Sequence, residues 1–175
     1  MNFPSNYIKS CVFEFNRYKT LGDATFKQLN ENDIHWQYNE ESNSIALIVK
    51  HIVGNMLSRW TNFLTEDGEK PWRNREYEFR DPYASKKEML EAWEEAWLCL
   101  FLSLSAINEN NFTTSIKIRN ETHTIPEAVN RQLAHYANHV GQLMLLGKMI
   151  KGKYWNPLSI PKGGSEVFNK KMFSK

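Results

Sequence analysis

The apolar positions of this chain recur mostly at three- and four-residue steps, the period of a helix with one buried face. Tyr7, Ile8, Cys11, Phe15, Tyr18, Leu21 and Leu29 follow that period and predict a helix over about residues 4–30, with Gly22 a tolerable weakness in it. The connector 30-NENDIHWQYNEESNS-44 is polar and rich in turn formers. Asn43 or Ser44 can cap a second helix over about 45–64, whose apolar set is Ile45, Ile48, Val49, Ile52, Val53, Met56, Trp60 and Phe63. No period runs through 65-TEDGEKPWRNREYEFRDPYA-84. A loop that long in a compact domain serves as a crossover or a functional cover.

Ser85-x-x-Glu88 reads as a capping box opening a third helix over about 86–108, with Leu90, Trp93, Ala96, Trp97, Leu100 and Leu104 as its buried stripe. The piece 112-FTTSIKIRNETHTI-125 alternates as a strand does and predicts a short hairpin with a polar turn at Asn120-Glu121. Thr124-Ile125-Pro126-Glu127 then supplies a cap, a proline in the first turn and a capping glutamate for a fourth helix over about 126–151. The tail, 153–175, is irregular and partly apolar and is expected to pack back on the helices. Four long helices with one long central connection predict a single all-α domain over 1–175, a four-helix bundle. A small globin-like α domain is an alternative that the pattern leaves open.

Composition narrows the partners. The chain is long enough to bury a sizeable core, and 22 Lys and Arg against 20 Asp and Glu leave a formal charge of +2. Basic residues read as scattered, apart from Lys148, Lys151 and Lys153 near a helix end, where cations suit the helix dipole. No nucleic-acid partner is expected. Cys11 and Cys99 are far apart, each inside an apolar helical pattern, which favours a reducing compartment. The start shows no basic stretch followed by an apolar run. The longest apolar run, 97-WLCLFLSL-104, is too short to cross a bilayer. A cytoplasmic protein without membrane contact is expected.

The candidate chemistry lies in the histidines. His135 and His139, four apart, share one helical face with Cβ atoms about 6 Å apart, close enough for both rings to reach one metal ion. Such a pair alone is weak evidence. His51 strengthens it, sitting mid-helix among Ile48, Val49 and Ile52; taken alone it would read as a satisfied residue at the edge of the core. Two facing helices of a bundle can supply three nitrogens to one ion. Three imidazoles leave a position open, as catalytic sites do and closed structural sites do not. Zinc, nickel or iron would accept the set.

Asn55, one turn beyond His51, and Gln142 are candidate amides for orienting the ligands, with ordinary polar surface an equal alternative. Tyr136 and Asn138 lie at a different helical phase. His35 and His123 are expected to face solvent, and Trp93 and Trp97 to be core. Gly163-Gly164 reads as a turn before no clear helix. No phosphate-cradling glycine motif, serine elbow or catalytic cysteine is visible, and no general base can be named.

The stretches 44-SIALIVKHIVGNM-56 and 135-HYANHVGQL-143, in this order and separation, resemble the DinB-like superfamily over about residues 5–151. The segment 123-HTIPEAVNRQLAHYANHVGQL-143, followed by 158-LSIPKGGSEVFN-169, looks like a branch of it found in bacilli and their relatives. The resemblance implies an up-down-down-up bundle in which His51, His135 and His139 bind a divalent metal, zinc or nickel. It also implies a kinship with transferases and isomerases that use low-molecular-weight thiols such as bacillithiol, and hence a thiol and an electrophile as partners. The expected function is a metal-dependent thiol transferase. A metal-dependent hydrolase, or a non-catalytic metal- or ligand-binding protein that acts as a homodimer, is the alternative beside it.

Overall fold

The computed structural model describes residues 3–80 and 82–174. Its elements are α1 (Phe3–Phe26), a 3-10 turn (Asp33–His35), α2 (Ile45–Trp60), the single-turn α3 (Arg75–Glu78), α4 (Lys86–Ser105), β1 (Ser115–Ile118), β2 (Glu121–Thr124), α5 (Ile125–Lys151), a second 3-10 turn (Gly152–Tyr154) and α6 (Ser165–Phe173). The molecule is mostly helical, with one small two-stranded sheet. The long helices pack as a bundle: α2 lies along α4, α1 along α5, and α2 also meets α5.

Helix α2 is apolar almost all round and is buried on nearly every side, as such a helix must be. Ser44 caps it, accepting from the Leu47 amide. Around it the aromatic residues interlock edge to face. Trp93 and Trp97 are fully buried, with ring centres 5.2 Å from Phe26 and 6.4 Å from Phe15 respectively. Gly22 is more than a tolerated weakness in α1: a Cβ there would lie 2.6 Å from Trp93 Cζ2, so the close approach of α1 to the indole requires glycine.

The first helix ends at Phe26, short of the expected residue 30, because Asn30 and Asp33 close a polar turn. The Asn30 amide donates to Asp33 Oδ2 and the Asp33 amide to Asn30 Oδ1. In the hairpin Ser115 pairs with Thr124 and Ile118 with Glu121. Its turn falls at Arg119-Asn120, one residue earlier than the alternation predicts. Both residues have positive φ, 55° and 61°, the backbone that a two-residue hairpin turn needs. The Asp67 carboxylate holds that turn, accepting from the Arg119 and Asn120 amides at 2.8 and 2.7 Å.

The expectation of a tail packed back on the bundle holds only for its first residues. Trp155 covers Gly147, and Asn156 exchanges two hydrogen bonds with the Gln28 side chain. Beyond them the chain forms α6, with Gly164 at its N-cap, so the glycine pair does precede a helix. Every residue of α6 is exposed. Residue 175, the end of the expected tail, lies outside the described residues. Among the described residues no helix is long and apolar enough to cross a membrane.

Candidate metal centre

Helix α2 carries His51 on its face toward α5, and α5 turns His135 and His139 to meet it. His51 Nε2 lies 3.3 Å from His135 Nε2, and His139 Nε2 lies 3.0 Å from the same atom. The three ligand atoms all fall within 4.8 Å of one another. A tetrahedral ion with Zn–N bonds of 2.0–2.1 Å would separate its nitrogens by about 3.3 Å, so the donor set fits a transition-metal ion. Burial, then the closeness of His139 and His51, pushes the His135 imidazole down to about 3. Burial, then His51, lowers that of His139. Both rings are therefore neutral near pH 7, the state in which imidazole is a ligand.

Each outer nitrogen has its own setting. His51 Nδ1 is 2.9 Å from Glu78 Oε2, which directs Nε2 at the other two rings. Arg73 grips the same carboxylate through Nε at 2.8 Å and Nη2 at 3.1 Å. Burial alone would raise the Glu78 carboxyl, but the bonds from His51 and Arg73 outweigh it and hold the group below its ordinary range. Phe79 stacks on the His51 ring with centres 4.8 Å apart. Gly54, three residues beyond His51, makes room for the carboxylate, since a Cβ there would lie 2.3 Å from Glu78 Oε1. His139 Nδ1 is 3.2 Å from Gln142 Oε1 at the exposed surface. Asn55 is buried beside the site but bonds no imidazole; its Oδ1 accepts from the Tyr136 hydroxyl, which in turn accepts from Trp60 Nε1.

A pocket of about 350 Å³ opens beside His51 and His135, walled by Asn55 and Gln132 and by Arg59, Arg73, Arg75, Arg119 and Arg131. The basic residues that read as scattered along the chain are in part gathered here by the fold. His35 is exposed as expected. His123 is not solvent-facing: it is half-buried in β2 opposite Ile116, and its Nε2 has no hydrogen-bond partner. Both cysteines are free thiols.

Sequence reasoning missed Glu78, Arg73 and Phe79, all in the stretch without a period. Asn74 caps the single turn that carries Glu78 inward, accepting from the Tyr77 amide. That cap, followed by a carboxylate in a loop long enough to cover a site, was the available signal: a ligating histidine almost always gives its other nitrogen a carboxylate, carbonyl or water.

Residues 2–164 match the family described as "Protein of unknown function (DUF1572)". No curated protein and no solved structure gives a significant match.

Proposed function

Since the chain belongs to the DUF1572 family, whose description assigns no chemistry, we propose a function from the site itself: a divalent-metal-dependent enzyme of the thiol-transferase type. The observation that carries the reading is the convergence of three imidazole nitrogens, from α2 and α5, at metal-ligand spacing. His51, His135 and His139 would hold zinc or nickel. Such an ion supplies Lewis acidity at a position the three imidazoles leave open, favouring deprotonation of a thiol or water near neutral pH.

The chain's own residues prepare that position. Glu78 fixes the ring orientation of His51, and Arg73 fixes Glu78. Phe79 covers one face of His51 and keeps water from it. Asn55 offers its amide at the pocket wall, while Gln142 steadies His139 from outside. The partners proposed are a low-molecular-weight thiol and an electrophile that share the pocket.

The reading includes an up-down-down-up course of the long helices. In its support, the Tyr7 hydroxyl near the start of α1 bonds Pro126 and Asn130 near the start of α5, and Trp60 and Ser103, near the ends of α2 and α4, are bonded to each other. The two free thiols support a reducing, cytoplasmic setting.

Elemental analysis of protein purified without a metal-affinity tag is the first test, with near-stoichiometric zinc or nickel expected. Less than about a tenth of an equivalent, after adding back both metals, overturns the site. The second is metal-dependent conjugation of monochlorobimane to bacillithiol or glutathione. Ester or amide turnover without thiol would move the reading to a hydrolase, and metal binding with neither activity to a binding protein.

A further inference from the structure

We propose that the pocket beside the histidines takes a small molecule bearing two or more oxyanion charges, carboxylate or phosphate, gripped by Arg75, Arg119 and Arg131 at its mouth and by Arg73 deeper in. Five guanidinium groups line this one pocket. The carboxylates paired with them are Glu69, shared by Arg59 and Arg119, Glu78, held by Arg73, and Glu76, beside Arg75. The surplus of two positive charges equals the formal charge of +2 carried by the whole chain, so the rest of the molecule balances to neutral. A field concentrated in this way attracts anions to a single cleft.

The donors are also unspent. Arg131 has no hydrogen bond or ion pair among the described residues, and Arg75 meets Glu76 at 3.5 Å and lies over the Phe79 ring at 5.3 Å. The Arg73 side chain is 2 % exposed, yet its Nη1 makes no hydrogen bond, with Glu69 Oε2 3.7 Å away. Gln132 is 3 % exposed, and its Oε1 is an acceptor without a hydrogen bond, placed to meet a donor on the ligand and not its charged oxygens. Buried polar groups of this kind are normally satisfied, and each exception calls for an explanation. A planar fork of N–H donors matches carboxylate and phosphate oxygens two at a time. A protein that binds a nucleic-acid backbone would spread its arginines along a surface stripe; here the side chains of two of the five, Arg59 and Arg73, are buried in the wall of one pocket, which suits a small molecule. The anion pocket stands on the arginines alone; that its ligand is a substrate of the histidine site rests on the function proposed above.

The test is calorimetric titration of the full chain, metal-loaded and metal-stripped, with succinate and with inorganic phosphate, using succinamide as the uncharged counterpart and measuring metal content throughout. At least one anion is expected to bind while succinamide does not, and the preferred anion tells carboxylate from phosphoryl ligands. Arg131→Gln and Arg75→Gln, both at exposed side chains, are each expected to weaken binding about tenfold or more with unchanged circular dichroism and Tm. Neither anion outbinding succinamide in either form overturns the proposal, as does undiminished binding in the double variant. Anion binding by a protein that takes up no metal would leave this pocket standing and remove the metal reading; metal uptake without anion binding would do the reverse.

Discussion

His51 Nδ1 and Glu78 Oε2 lie 2.9 Å apart across 27 residues of chain, and both side chains are nearly inaccessible to solvent. The contact ties a candidate ligand on a central helix to the helical turn α3 of the long connector. Because Arg73 holds the same carboxylate, the orientation of His51 depends on residues that neither coordinate metal nor sit in a regular helix of any length.

Glu78→Gln should therefore keep the packing and weaken metal binding by about 10–100-fold, read by competition with a chromophoric chelator. Glu78→Ala should also destabilise the fold by about 3 kcal/mol, because it leaves the buried Arg73 charge with only Glu69, 3.7 Å away. Gln142→Ala, at an exposed partner of His139 whose place water can take, should change metal affinity by less than about threefold.

Replacing glycine with alanine inside a helix ordinarily gains about 1 kcal/mol. At Gly54 the sign should reverse. The new methyl would stand 2.3 Å from Glu78 Oε1 and 2.9 Å from its Cδ, so the carboxylate must leave His51 or the helix must shift. Urea denaturation should show a loss of stability, and the metal titration a loss of affinity like that of Glu78→Gln.

Metal should stabilise the folded chain. At a hundredfold excess of free ion over Kd, ligation adds about 2.7 kcal/mol, worth about 5–10 °C in Tm for a chain of this size. Differential scanning calorimetry with and without zinc or nickel should show the rise in the parent protein. His135→Ala should remove it.

Acid should loosen the hairpin through Asp67. Burial alone would raise this carboxyl, but the backbone amides of Glu69, Asn120 and Arg119 outweigh it and hold the group below its ordinary 3.8. A carboxyl lowered in the folded state contributes stability that is full above its unfolded value and is lost as pH falls through its folded value. Asp67→Asn should thus be less stable than the parent at pH 6, by on the order of 1 kcal/mol. The gap should close as the pH drops below 3.8, which Tm measured across that range will show.

The long helices were legible because their signals are local. Ser44, Ser85 and Thr124 cap where the sequence places caps, and the apolar stripes of α2 and α4 became core. The three histidines were legible because helical spacing is fixed: once His135 and His139 share a face, one facing histidine completes the set. Glu78 and the arginines were not. They come from a connector without a period, from a hairpin turn and from the flanks of helices, and only tertiary packing brings them together. Nothing in the neighbours of Gly54 announces a carboxylate arriving from residue 78. Helix α6 was missed for the opposite reason: it is a short local helix with no buried face to imprint a period on the sequence.

The placement of Arg73, Arg75 and Arg119 outside the long helices separates two tasks within one chain. The candidate ligands ride on α2 and α5, among the core residues of the bundle; the arginines proposed to choose what enters ride mostly on the connector and the hairpin turn. Rewriting those short segments would give the same metal site a different appetite without asking the core to refold. A lineage built on this scaffold can diversify its substrates cheaply, and variation among relatives should concentrate there.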